Sequence, residues 1–313
     1  MHLFIRKTGI FCLCFLIAFC LLFFSTNVLI NKRSGFEIPH HKEYVILGHS
    51  HPAYAFNDSL IDNFWNGAQS MEGYFFTYYK TKKLLEANKQ IKAVFIEYTN
   101  NQIEKYADEN VWGKYLPYLI PRMYPVLDIR GQFTLLCRNP LGFAQNVPSS
   151  LKKNLLFLWS GKKSFLEATW APTDFITYVN KDTLPIQPSF TDPVPKKSQI
   201  ESSISENNLY YLTKVLKLCS DNKIKVYLIR CPLPPSRLYY NDSLLNKIKE
   251  KEFPDVPFLD FINYPLFNSD FADRAHLNYI GARKFSTFFN HLIHKGLMET
   301  PNKQEFINGE MKN

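Results

Sequence analysis

The segment YVILGHSH, from Tyr44 to His51, begins as a largely apolar run of four residues and ends in a glycine followed by a polar turn. A short apolar run of this kind predicts a strand that is buried on both faces, as in a parallel sheet. The run AVFIEY, from Ala93 to Tyr98, has the same character, and residues 74–88 between them carry a helical pattern. Strand, helix and strand in succession indicate a parallel sheet.

The same alternation of strand and helix returns in the last third of the chain. A second short apolar run lies at 64–68, ahead of the helical pattern of the first half. The later elements are predicted as a helix over 206–221, a strand over 225–229, a helix over 243–251, a strand over 257–261 and a helix over 280–293. We therefore predict an α/β fold: a three-layer α/β/α sandwich, similar to flavodoxin, around a parallel sheet of about five strands.

The run from Gly9 to Ile30 contains no charged residue and is long enough to cross a bilayer as a helix. Basic pairs flank it on both sides, so the distribution of positive charge does not set its orientation. A cleaved signal peptide is the alternative, but the apolar region is long for one and the residues around Ser25 make a poor cleavage site. We predict an uncleaved, single-pass N-terminal anchor.

The domain organisation follows from these elements. Residues 1–42 are predicted to hold a cytoplasmic tip, the transmembrane anchor and a short linker. Residues 43–298 form the α/β domain, with a helical insertion at about 103–200 that is rich in aromatic residues and proline. Residues 299–313 are predicted to be a C-terminal tail.

Composition excludes several classes of protein. The net charge of +9 comes from lysines and arginines that are spread along the chain, without a basic motif, so we expect no nucleic-acid partner. Three of the six cysteines lie in the predicted anchor, and the other three form no disulfide framework. No cysteine or histidine spacing typical of zinc is present, and we expect neither a metal nor another cofactor.

Two polar loops, each after a predicted strand, carry groups suited to nucleophilic catalysis: GHSH at 48–51 and DRAH at 273–276. Loops at the carboxyl ends of parallel strands converge on one crevice, so their separation in sequence does not prevent contact. A serine needs a base to take its proton, and the base needs a carboxylate on its other nitrogen. Ser50, His276 and Asp273 could fill these roles.

This layout resembles that of the SGNH (GDSL-type) hydrolases, which have a serine in a Gly-x-Ser block after the first strand and a DxxH motif before the last helix. The resemblance covers roughly 44–98 and 206–292. It implies that Ser50 is the nucleophile, that His276 is the base and that Asp273 orients His276.

The resemblance also implies an oxyanion hole built from the amides of Ser50 and Gly67 and the side chain of Asn100, with Asn101 as a neighbouring candidate. The chain departs from the family pattern at two places. His49 stands where an aspartate usually precedes the serine, and the asparagine block is not spelled NxN. We regard His49, His51 and Asn101 as candidate auxiliary residues.

The function implied by the resemblance is that of a serine-dependent esterase or O-acyltransferase that works through an acyl-enzyme. Envelope members of the family carry a membrane segment and act on acylated cell-surface polymers. The expected substrate is an acylated envelope glycan or lipid-linked sugar, and the expected partners are the membrane and a membrane-bound acyltransferase. The domain should then face the periplasm or the cell exterior.

Two alternatives remain open at the level of sequence. The first is a catalytically inactive, membrane-anchored scaffold or glycan-binding component with the same fold, which the replacement by His49 makes credible. The second is a metal-dependent hydrolase that uses His49 and His51. Each motif also has a plain structural interpretation: Ser50, Gly67 and the asparagines as turn residues, and Asp273 as a helix cap.

Overall fold

The structure is a computed structural model that describes residues 1–33, 35–166, 203–234, 242–273 and 275–312. One parallel sheet has the strand order β2-β1-β3-β4-β5. The strands are β1 (Tyr44–Leu47), β2 (Phe64–Asn66), β3 (Ala93–Glu97), β4 (Lys225–Arg230) and β5 (Phe258–Asp260). Four of them confirm predicted strands, with ends that differ by about one residue, and β2 lies in the apolar run at 64–68.

The helices connect the strands and extend the chain on either side of them. They are α1 (His2–Lys32), α2 (Ser50–Ala55), α3 (Tyr74–Ala87), α4 (Asn100–Ile103), α5 (Asp108–Val111), α6 (Leu116–Met123), α7 (Ile129–Arg138), α8 (Pro140–Ser160), α9 (Glu206–Asp221), α10 (Asp242–Glu252), α11 (Tyr279–His294) and α12 (Lys303–Glu310). Short 3-10 turns cover Lys105–Ala107, Tyr124–Val126 and Asn268–Asp270. The helices predicted from periodicity correspond to α3, α9, α10 and α11.

Alternating residues of the strands point into two separate hydrophobic clusters. Val45 and Leu47 of β1 belong to the cluster that includes α3, α9 and residues of the insertion, whereas Ile46 belongs to the cluster that includes α11. Because successive side chains of a strand point to opposite faces, helices cover both faces of the sheet. This explains why the strands are apolar throughout instead of alternating.

The N-terminal helix α1 is long and apolar enough to cross a membrane. Most of its side chains are exposed, but Phe23 and Ile30 near its end are buried against the domain. The predicted linker also packs on the domain, since Asn88 of α3's C-terminal end accepts the amide of Ile38 and donates to the carbonyl of Phe36.

The described part of the predicted insertion begins at the last residue of α4, contains α5 to α8 and ends at Leu166. Its last residues, 167–200, lie outside the described residues. The 3-10 turn at Tyr124–Val126 and helix α8 both pack against α1. The insertion is therefore the part of the domain that meets the apolar helix.

The C-terminal tail predicted for 299–313 requires correction, because part of this segment forms helix α12 on the sheet edge. Ile307 is fully buried, and Gln304 exchanges two hydrogen bonds with the backbone of Asp260 in β5. The helix is only two turns long, so it carries too few apolar positions for a helical period to be recognised in the sequence.

Candidate active site

The turn between β1 and α2 places Ser50 at the first position of α2. Gly48 makes this turn with φ of +149°, and a Cβ atom there would lie 2.4 Å from Cβ of Glu97 on the neighbouring strand β3. Only glycine combines that backbone conformation with so close an approach. The glycine of the GHSH motif therefore has a steric role at the end of β1.

We expect Gly48→Ala to lower the free energy of unfolding by about 3 kcal/mol, from backbone strain and the collision with Glu97. Gly161, at the end of α8, is a matched control, because its φ is +68° and no atom lies within 4 Å of the site of a Cβ. Gly161→Ala should cost about 1 kcal/mol from backbone strain alone. Urea unfolding of the full chain in detergent measures both values, and equal losses would contradict the steric argument.

The DRAH motif lies on a short hairpin that is closed by a bridge between Phe271 and Leu277. Within it, Oδ1 of Asp273 accepts the backbone amides of Ala275 and His276, at 2.8 and 2.9 Å. The aspartate thus fixes the loop that carries the histidine. The hairpin ends at Asn278, which caps the N-terminus of α11.

The two motifs, 226 residues apart in sequence, meet at the carboxyl end of the sheet. Nε2 of His276 lies 2.7 Å from Oγ of Ser50, and Nδ1 of His276 lies 2.8 Å from Oδ2 of Asp273. Burial raises the pKa of Asp273, but hydrogen bonds from the His276 ring and from backbone amides lower it by more, so the carboxyl group stays ionised. The arrangement is that of a serine, its base and an orienting carboxylate.

A second imidazole contacts the serine. Nδ1 of His49 lies 2.8 Å from Oγ of Ser50, which is also in contact with Nε2 of His276. Because Asp273 accepts the proton on Nδ1 of His276, Nε2 of that ring must accept the serine proton. The hydroxyl group has one proton to give, so His49 must carry its own proton on Nδ1 and donate it to Ser50.

Burial holds His49 in its neutral form. Burial lowers the pKa of His49 to about 4; His51 and His276 lower it further, and Glu97 opposes them. A neutral imidazole with its proton on Nδ1 is the form that the hydrogen bond to Ser50 requires. His49 can therefore keep this role above about pH 4.

The depressed pKa of His49 predicts a pH-dependent stability. Between about pH 6.5 and pH 4 the unfolded chain takes up a proton at His49 and the folded chain does not. The contribution of His49 to the free energy of unfolding is thus fully present above about pH 6.5 and is lost as the pH falls towards 4. Urea unfolding at several pH values should show a shallower dependence over this window for His49→Gln, and an unchanged slope would contradict the assignment.

Glu97 is a buried carboxylate that the sequence analysis did not identify as part of the site. It is the last residue of β3 and is fully buried. It accepts the backbone amide of His49, and its Oε1 lies 3.1 Å from Nδ1 of His51 without the alignment of a hydrogen bond. Burial raises the pKa of Glu97, but the neighbouring His51 and His49 lower it by more. Glu97 therefore holds the loop that presents Ser50.

Apart from Ser50, the residues predicted for the oxyanion hole lie just after the two strands that flank β1. Gly67 follows β2, whereas Asn100 and Asn101 follow β3 at the start of α4. The amide of Gly67 donates to the carbonyl of Ile46 at 2.9 Å, so it is engaged with the sheet and is not directed at a substrate. Ser50 supplies a first-turn amide of α2, a position without an acceptor inside the helix. The predicted role of the Gly67 amide in the oxyanion hole is therefore wrong, because the register of the sheet occupies that amide, whereas the role of Asn100 stays a prediction.

A buried ion pair supports the loop after Gly67. Nζ of Lys80, on α3, donates to Oε2 of Glu72 and to the carbonyl of Gly67, the latter at 2.6 Å. Thr77 donates to the second carboxylate oxygen of Glu72 at 2.8 Å. Both charged side chains are fully buried. Burial raises the pKa of Glu72 to about 7 despite the lowering effect of Lys80.

His49 and His51 do not share a ligand geometry in the structure. Their ring centroids lie 6.3 Å apart, and their Nδ1 atoms face different partners, Ser50 and Glu97. Among the described residues, no group of three or more histidine, cysteine, aspartate or glutamate side chains is placed to hold a metal ion.

A comparison with protein families gives a partial match. A protein-family model, whose description states no function, matches residues 194–298, about a third of the chain. The matched part contains Asp273 and His276 but not Ser50. No curated protein matches the chain.

Proposed function

We propose that the chain is a membrane-anchored serine esterase or O-acyltransferase of the SGNH type, with the three-layer sandwich of that family. The observation that carries the proposal is the 2.7 Å contact between Oγ of Ser50 and Nε2 of His276, with Asp273 behind the ring. A turn residue and a helix cap would have no reason to meet in this order. Anchoring rests on α1, which is long and apolar enough to cross a membrane.

The first half of the reaction forms an acyl-enzyme. Oγ of Ser50 attacks the carbonyl carbon of an ester while Nε2 of His276 takes the serine proton, and Asp273 stabilises the resulting imidazolium. The tetrahedral intermediate then collapses. The leaving alcohol takes the proton from His276, and the acyl group stays on Ser50.

The second half releases the acyl group. Water or a sugar hydroxyl gives its proton to Nε2 of His276 and attacks the acyl carbon, and Ser50 recovers the proton as it leaves. Water makes the protein an esterase, and a sugar hydroxyl makes it an O-acyltransferase. In both halves, negative charge develops on Oγ of Ser50 in the transition state. The hydrogen bond that His49 donates from Nδ1 strengthens with this charge, so it stabilises the transition state more than the ground state.

An anchored domain would act on substrates at the membrane surface. We therefore propose an acylated envelope glycan or a lipid-linked sugar as substrate, with the domain on the periplasmic or outer side. A membrane-bound acyltransferase is a fitting partner, because it could load or receive the acyl group that Ser50 carries.

The experiment that tests the proposal is release of p-nitrophenol from p-nitrophenyl acetate by the full chain in detergent, with Ser50→Ala as the control. We expect the unaltered protein to release p-nitrophenol at least about 100-fold faster than the variant, as removal of an activated nucleophile predicts. Added acetylated oligosaccharides and sugar acceptors then distinguish hydrolysis from transfer. Equal rates for the two proteins, both folded, would reject catalysis and favour the non-enzymatic scaffold.

A further inference from the structure

We propose that helices α7 and α8 form a lipid-facing shoulder that lies in the outer part of the bilayer beside α1. The shoulder is defined by its exposed apolar residues, Ile129, Phe133, Leu136, Leu141, Leu155, Leu156 and Trp159. The inference rests on the membrane anchor of the proposed function and not on its ester chemistry.

Exposed apolar side chains are concentrated on these two helices. Outside α1, thirteen large apolar side chains of the described residues are exposed, and seven of them lie on α7 and α8. On α7, Ile129, Phe133 and Leu136 follow helical spacing and are 69%, 65% and 42% exposed. A patch of this kind on a folded domain marks a surface that is covered in the cell.

The shoulder adjoins the end of the apolar helix. Nδ2 of Asn154, buried on α8, donates to the side chains of Thr26 and Asn27 of α1, at 3.2 and 2.9 Å. The ring of Tyr124 packs on Phe23 of α1, with centroids 4.3 Å apart, and on Phe143 in the first half of α8. The second half of α8 therefore lies beside the last turns of α1, and Tyr124 bridges its first half to Phe23.

The length of α1 places these contacts at the depth of the bilayer. The hydrocarbon core is about 30 Å thick, and a helix crosses it in about 20 residues at 1.5 Å each. If the last charged residue before the apolar run, Lys7, lies at one boundary, Asn27 lies at the other. Phe23 is then about 6 Å inside the core. Helices that pack on Phe23 and Asn27 must enter the same layer.

The composition of the shoulder suits a lipid surface better than water. Trp159, 88% exposed, is the residue type that accumulates at the level of lipid headgroups. Arg130 and Lys152 are exposed among the apolar residues, and long basic side chains can reach headgroup phosphates from such positions. The structure thus assigns the bilayer, and not water, as the environment of this face.

The experiment measures the depth of spin labels on the full chain in vesicles of phosphatidylcholine and phosphatidylglycerol. The exposed cysteines Cys12, Cys14, Cys20 and Cys137 are replaced by alanine, and single cysteines are then restored or introduced. The label at Cys14 reports on the anchor, and the label at Phe133→Cys reports on the shoulder. The label at Arg283→Cys reports on an exposed position of α11, the helix on the face of the sheet opposite to α3 and α9.

The depth of each label follows from the ratio of its collision rates with oxygen, which concentrates in hydrocarbon, and with a nickel chelate, which stays in water. We expect the label at Cys14 to lie in hydrocarbon, the label at Phe133→Cys to lie about 5–10 Å below the headgroup boundary, and the label at Arg283→Cys to lie in water.

One contradictory result is that the label at Phe133→Cys is as accessible to nickel as the label at Arg283→Cys while the label at Cys14 lies in hydrocarbon. That result would overturn the lipid-facing shoulder but not the anchor, and it would point to a protein partner for this surface. A label at Cys14 in water would overturn anchor and shoulder together. Neither result touches the reaction at Ser50, which p-nitrophenyl acetate reports separately.

Discussion

Replacing His276 by alanine should slow the covalent reaction of Ser50 with a fluorophosphonate by about 10²–10⁴-fold, the usual contribution of a general base. The reason is the 2.7 Å contact through which Nε2 of His276 takes the serine proton. The rate of labelling is measured by quenching at timed intervals and following the intact mass of the full chain in detergent.

Asp273→Asn should lower the same rate while leaving the ring in place. An asparagine amide can donate to Nδ1 of His276, which moves the ring proton to Nε2 and removes the acceptor for the serine proton. His291→Ala is a matched control, because His291 is an exposed histidine on α11 whose ring lies 3.5 Å from the carboxylate of Glu310 on α12. Loss of labelling in the control, or full labelling in His276→Ala, would contradict the assigned roles.

Replacing Lys80 by methionine should lower the free energy of unfolding by about 3–5 kcal/mol, because it leaves the carboxylate of Glu72 buried without its cation. Both side chains are fully buried, so solvent cannot replace the missing partner. Urea unfolding of the full chain in detergent, followed by tryptophan fluorescence, measures the loss.

The double variant Glu72→Leu with Lys80→Met separates the ion pair from other effects. Both variants lose the hydrogen bond from Lys80 to the carbonyl of Gly67, and the double variant also loses the one from Thr77 to Glu72, so any stability that it regains reports relief of the unpaired charge. We expect the double variant to recover most of the stability, since a buried pair is often replaced by apolar residues at little cost. A double variant as unstable as Lys80→Met would contradict this account.

The sheet and the serine, histidine and aspartate follow from the sequence for a simple physical reason. Strands that are buried on both faces are apolar runs, and the loops at their carboxyl ends must converge at one edge of the sheet. Ser50 after β1 and His276 before α11 could therefore be placed together although 226 residues separate them.

Other parts of the site depend on three-dimensional detail that sequence patterns do not contain. Glu97 is a single charged residue in a buried strand, which signals a buried partner, but the sequence does not say that the partners are the His49 amide and the His51 ring. The contact of His49 with Ser50 depends on a side-chain rotamer. Gly67 matches a family position, yet its amide pairs with β1, which only the register of the sheet reveals.

The most direct measurement of the central claim is peptide mapping by mass spectrometry after treatment of the full chain with a fluorophosphonate. The account predicts one adduct per chain, on the peptide that contains Ser50, and no adduct on the corresponding peptide of Ser50→Ala. A folded protein that forms no adduct, or forms it at another residue, would contradict the claim that His276 activates Ser50.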